Sequence, residues 1–297
     1  IFIGQGVGYL GNAATNVAFP LTTICLAITL LISIGSASRF SLSLGEGDAD
    51  RAAQAVGNAL AMMVLFGILY TLCIEIFLVP LLNAFGATQD VLPYAIEYTR
   101  ITAVGMPLLI ITNGMSNLAR ADGSPNYSMM CMLIGAIINT ILDPLFIFKF
   151  HMGVRGAAFA TVIGQFFSFL MALYYVKKFT HIRLKKQHFI LKPQVCLNIA
   201  SLGMSNCLNQ VAITFVQIVM NNSMTYYGAK TIYGSEIPLA ASGIVMKTNG
   251  ILLSVIIGLS QGSQPIIGFN YGAKKYDRVR GTYRLAISCN LVVSAIG

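Results

Sequence analysis

The stretch Asn139–Gln165, N-T-I-L-D-P-L-F-I-F-K-F-H-M-G-V-R-G-A-A-F-A-T-V-I-G-Q, decides how this chain is read. Asn139 and Asp143 stand four residues apart, so on a helix they share one face. The helix that carries them is built from residues that belong in lipid: positions 129–142 hold no charged side chain. A carboxylate on such a helix costs ~2.5–3.5 kcal/mol on insertion scales, and its retention points to function. Pro144 follows directly, removes a backbone donor and predicts a kink at the acid. After a short polar turn a second apolar helix begins. One of its stripes is small (Gly156, Ala160, Gly164, Ser168), and the neighbouring stripe carries Ala157, Thr161 and Gln165. Small residues at four-residue spacing let membrane helices approach closely, which predicts Thr161 near Asp143. The expected arrangement is a carboxylate, an amide and a hydroxyl gathered inside a membrane bundle. The alternative is a structural Asp that caps a broken helix or bonds Asn139.

The rest of the chain fits that setting. Of its 297 residues, 56% are hydrophobic and 10% charged, against about 25% charged in soluble domains. The apolar residues fall in runs of helical length and do not alternate as barrel strands do, so the fold class is an all-α integral membrane bundle. Stretches free of Lys, Arg, Asp and Glu lie at 13–38, 52–74, 101–119, 123–142, 157–176, 193–229, 248–273 and 285–297. If each crosses the bilayer, alternate gaps lie on the same side, and 14 of the 19 Lys and Arg residues fall in one set of gaps. The positive-inside rule places that set in the cytoplasm. It also accounts for the net charge of +9 without nucleic acid. The most basic gap, 177–192, reads as a cytoplasmic linker with topology-setting charge, or as a surface for anionic lipid headgroups. The six Cys are scattered, nearly all within apolar runs, and read as small core or lipid-facing residues. Because the chain begins at Ile1 and its last apolar run is cut at Gly297, it is expected to be a fragment.

An internal repeat runs at an offset of 227 residues: Gly35-Ser36 matches Gly262-Ser263, Gly45 matches Gly272, and Asp50-Arg51 matches Asp277-Arg278. The offset equals six spans, so both copies share one orientation and form a parallel repeat about an axis along the membrane normal. The expectation is two six-helix lobes: residues 1–176 as the N-lobe, 177–192 as the linker and 193–297 as an incomplete C-lobe. Gly6–Gly11 matches G-x-G-x-x-G but lacks the flanking strand and acid of a dinucleotide site, and no phosphate-binding G-x4-G-K-[ST] loop exists. His151, His181 and His188 show no ligand spacing, and no catalytic set is recognisable, so an enzyme is not expected. What remains is a set of polar residues in spans, among them Gln165, Asn209, Gln210, Gln217, Gln261 and Lys247. Intramembrane amides also serve simply to join helices. Glu75 and Lys247 are harder to place in lipid, and face a cleft or the surface.

Five motifs in order, A-R-A-D-G-S-P-N at 119–126, N-T-I-L-D-P at 139–144, G-A-A-F-A-T at 156–161, A-A-S-G-I-V-M-K at 240–247 and the long segment 258–279, resemble the multidrug and toxic compound extrusion (MATE) family, in its bacterial multidrug-export branch. The resemblance covers the whole chain and implies a run from the end of the family's first helix into its ninth of twelve. It implies a monomeric antiporter of the bacterial cytoplasmic membrane that exports bulky, often cationic organic compounds in exchange for Na+ or H+, with no other cofactor or metal. The family's N-lobe cation site aligns with Asn139, Asp143, Ala157 and Thr161, with Na+ or a proton at Asp143. Its further carboxylate on the first helix falls before Ile1, and the acid that some members carry on the seventh helix has no counterpart in 193–229. The candidate substrate cavity takes Gln165, Asn209, Gln210, Gln217, Lys247 and Gln261. The rival within the same superfamily is a flippase for lipid-linked sugars, which calls for cationic residues in a central cavity.

Overall fold

The computed structural model describes residues 9–87, 89–228 and 236–296, together with Ile3 and Lys230. Each of the eight apolar runs becomes a helix: α1 (Tyr9–Gly45), α2 (Ala49–Ala84), α3 (Leu92–Ala121), α4 (Pro125–Pro144), α5 (Gly153–Tyr175), α6 (Pro193–Gly228), α7 (Glu236–Gly272) and α8 (Tyr276–Ile296). No strand occurs among the described residues. Among the described residues, six helices, α1 to α6, are long and apolar enough to cross a membrane, whereas the sequence reading has every run crossing. Their outward faces carry large apolar side chains such as Ile68, Ile76, Ile141 and Phe159, as a lipid solvent requires.

The helix α1 is the hub, packing against α2, α3, α6 and α7. Its contact with α6 is backbone on backbone. A Cβ at Gly35 would strike the Ile199 carbonyl, and one at Gly203 would strike that of Leu31. Small residues give the close approach that lipid-embedded helices need, since no hydrophobic drive pulls them together.

The repeat seen in the sequence is also present in the geometry. A Cβ at Gly45 would meet the Phe269 carbonyl, and one at Gly272 would meet that of Leu42. Both pairs obey the 227-residue offset, so α1 and α7 meet in a self-complementary contact, as across a two-fold axis. The turns that follow match as well. Gly47 has φ +81° and its counterpart Lys274 has φ +57°. The left-handed turn is therefore kept where the second copy no longer has glycine.

The prolines behave differently from one another. Three residues before Pro80, Phe77 leaves helical geometry (φ −106°, ψ 19°), the kink that a missing donor and a crowded carbonyl produce. The kink expected at Asp143 does not form: Pro144 keeps φ −64° and ψ −32°. The chain instead passes into a π-helical turn at Leu145–Lys149, closed by Phe150 N–H to the Leu145 carbonyl at 3.1 Å. The wider turn relieves the proline without breaking the helix.

The basic segment 177–192 is not a loose linker. The Asp122 carboxylate, fully buried, accepts from the Tyr175 hydroxyl (2.8 Å), from Thr180 N–H (2.9 Å) and from His181 N–H (3.4 Å), with His181 Nδ1 at 2.9 Å. Further along, Asn58 of α2 donates to the His188 carbonyl (3.0 Å) and accepts from Lys192 N–H (2.7 Å). Gly57 leaves the room for this: any Cβ there would strike the His188 backbone.

Candidate cation and ligand site

Four residues predicted from the sequence come together where α4 meets α5. Gly164 lies against Gly135, so closely that a Cβ there would be 2.6 Å from the Gly135 carbonyl and 3.3 Å from Asn139 Cβ. That approach aligns the polar stripes of the two helices. The Asn139 amide donates to Asp143 Oδ1 (3.3 Å) and to Thr161 Oγ1 (3.4 Å), and the Thr161 hydroxyl donates to the Ala157 carbonyl (2.9 Å). Asn139, Asp143 and Thr161 are half-buried and Ala157 is buried. Among the described residues no basic side chain forms an ion pair with Asp143, whereas Glu75 pairs with Arg100 (3.5 Å) and Glu97 with Arg155 (2.6 Å). Glu75, an awkward charge in the sequence, is thus paired.

Chemically this is a hard-oxygen set: one carboxylate, one amide, one hydroxyl and one carbonyl. Such donors suit Na+ or a proton and offer nothing to a thiophilic metal. Among the described residues no cluster of three His, Cys, Asp or Glu could hold a metal ion.

A cavity of about 180 Å³ opens from Asn139 and Thr161 between α3, α4 and α5, lined also by Thr112, Asn113, Gln165 and Ser168. Thr112 Oγ1 and Gln165 Oε1 are buried with no hydrogen-bond partner among the described residues. Gln165 thus reaches the same chamber as Asn139. A second cavity, about 360 Å³, lies between α1, α6 and α7 and is lined by Ser38, Asn206, Ser260, Gln261 and Gln264. Gln261 therefore faces a ligand-sized space, but not the one Gln165 faces. Asn209 is exposed and Gln210 half-buried on α6. The side chains of Gln217 and Lys247, and residues Gly6–Gly8 of the glycine motif, lie outside the described residues.

Sequence reasoning did not single out Asn58, Asp122 or Arg120. The first is one of two amides, with Gln54, in a mostly apolar run, the only local signal it gives. The other two lie in a gap of three residues between spans, where loop chemistry hides partners distant in sequence.

The chain matches the family profile described as MatE over residues 1–145 and 198–297. It is 22% identical to the probable multidrug resistance protein YoeA of Bacillus subtilis, covering 99% of this chain and 64% of that protein. Against the multidrug export protein MepA of Staphylococcus haemolyticus identity is 25%, over 98% of this chain and 64% of the relative. A FAD transporter of Shewanella oneidensis is 26% identical over 99% of the chain and 65% of its own length. The chain thus spans a little under two thirds of these relatives. Among solved structures, a MATE protein in a bent conformation superposes with a TM-score of 0.90 at 22% identity, covering 99% of this chain and 65% of that one. A multidrug resistance MATE family transporter in an outward-facing conformation gives 0.88 at 22%, covering 99% and 68%. Profile, relatives and fold agree: the chain belongs to the MatE family, whose members are transporters.

Proposed function

We propose that this chain is the larger part of a secondary antiporter that exports bulky, often cationic organic compounds in exchange for Na+ or H+ across the bacterial cytoplasmic membrane. The observation that carries the reading is the Asn139–Asp143–Thr161 constellation, whose Asn139 and Thr161 open to a chamber where Thr112 Oγ1 and Gln165 Oε1 have no hydrogen-bond partner among the described residues. In this reading residues 1–176 form one lobe, 193–297 belong to a second, and 177–192 clamps the cytoplasmic ends as a linker. The protein works as a monomer in lipid.

A proton or Na+ at Asp143 neutralises a carboxylate in an apolar bundle. Filled and empty states then differ by one charge, which biases two packings of the lobe by the differential affinity of each for the ion. An organic cation entering the chamber meets Asn139 and Thr161, and Asn139 is bonded to the carboxylate, so ion and drug oppose one another through that amide. The π turn after Pro144 is the place where α4 can change its pitch when the site fills. The lipid-linked sugar flippase is not favoured: the named relatives are multidrug and FAD transporters.

The test is a binding measurement. A fluorescent organic cation is titrated into the full-length protein in detergent, with and without Na+ and at low and neutral pH. Affinity falls when the coupling ion is present, and Asp143→Asn removes that dependence. Equal affinity under all conditions in the wild type overturns the reading.

A further inference from the structure

At the end of the bundle that carries the basic segment, one side chain from each half of the repeat meets across the interface. Arg120, at the last turn of α3, donates from Nη1 to Oε1 of Gln261 on α7 at 2.6 Å. Arg120 is partly buried, and among the described residues no carboxylate pairs with it: its neighbour Asp122 is saturated by Tyr175, Thr180 and His181. The contact is reinforced close by. Gln264 Nε2 donates to Ser38 Oγ at 2.7 Å, one helical turn from Gln261, and the reciprocal glycine pairs hold α1 and α7 backbone to backbone below it.

Gln261 has a second role. It lines the cavity between α1, α6 and α7, together with Ser38, Asn206 and Gln264. The side chain that accepts from Arg120 is therefore also part of the wall of that cavity. The latch partner is an amide, and that choice has a physical consequence. A charge-assisted hydrogen bond to a neutral acceptor can be broken without stranding a carboxylate, whereas breaking a partly buried ion pair leaves an uncompensated charge.

We infer that Arg120 and Gln261 are positioning residues for transport, a breakable latch that holds the basic end of the bundle shut and that a ligand in the α1–α6–α7 cavity can release by competing for the Gln261 amide. This rests on the transporter reading for its purpose, but not for its test. The latch is read in the absence of ligand and of any ion gradient, so failure of the antiporter reading leaves the measurement intact.

The experiment places spin labels at Ala49→Cys and Tyr276→Cys, repeat-related exposed positions on either side of the interface, in a cysteine-free background of the full-length protein. Pulsed electron resonance then reads the distance distribution. The wild type gives mainly the short distance. Arg120→Ala and Gln261→Ala each raise the ratio of long to short distances about tenfold, equivalent to about 1.4 kcal/mol. The double variant does no more than either single one, because both remove the same contact. Arg120→Lys, which keeps the charge, lies between, and Gln261→Glu shifts the distribution to the short distance alone. Monodisperse Gln261→Glu serves if an alanine variant fails to fold. Distributions that match the wild type in both Arg120→Ala and Gln261→Glu overturn the latch.

Discussion

Gly164 carries more of the site than its lack of a side chain indicates. Asn139 reaches Thr161 only because α4 and α5 touch at Gly135 and Gly164. A valine at 164 has no flexible neighbour to displace: the nearest atom is a backbone carbonyl oxygen. The helices must separate, at a cost of about 1–3 kcal/mol for overpacking. Gly164→Val is expected to lower the thermal midpoint in detergent and to abolish stabilisation by the coupling ion, since Asn139 and Thr161 part. A variant that keeps the ion-dependent shift contradicts this account of the site. The small stripe was legible in the sequence because four-residue spacing has one meaning on a membrane helix. The Asn139–Asp143 bond was legible for the same reason, although the bond alone does not separate a structural Asp from a functional one.

Among the elements, the segment 177–192 shows what sequence could not reveal. Its charge was read as topology, and nothing local announced that Asp122 and Asn58, far away in sequence, fasten it down. Hydrogen bonds to backbone leave no pattern in the residues whose backbone is bound. Asp122→Asn replaces an acceptor for four donors by a group with a single acceptor oxygen, and leaving buried donors unpaired costs about 1–3 kcal/mol. Trypsin cleavage after Arg183 and Lys185 should therefore speed up several-fold in the variant, with the helices intact by circular dichroism. An unchanged cleavage rate would mean that the segment is held elsewhere. The prolines teach the same lesson from the other side. Pro80 kinks its helix, while at Pro144, where the sequence predicts the kink, the following turn absorbs the missing donor as a π turn. Which outcome a proline selects depends on what packs around it, and that is tertiary information.

At the scale of the whole molecule, the helices and the parallel repeat followed from charge-free runs and a fixed offset, because lipid constrains composition so strongly. Among the described residues, however, six of the eight helices, not all, are long and apolar enough to cross a membrane. The structure adds the place where the two copies touch, with Gly45 and Gly272 reciprocally placed and a left-handed turn after each. The candidate ligand residues did not gather into one cavity: Gln165 and Gln261 face different spaces. A polar residue on a helix marks a face, and the face alone does not say which neighbour it meets. Antiport through Asp143 is the claim on which the functional account stands. Its most direct measurement uses the full-length protein in everted vesicles loaded with a fluorescent organic cation, with Na+ and proton gradients imposed separately. Dye movement should follow one of the two gradients in the wild type and vanish in Asp143→Asn. Transport in the variant as fast as in the wild type would show that Asp143 merely bonds Asn139, and would contradict the account.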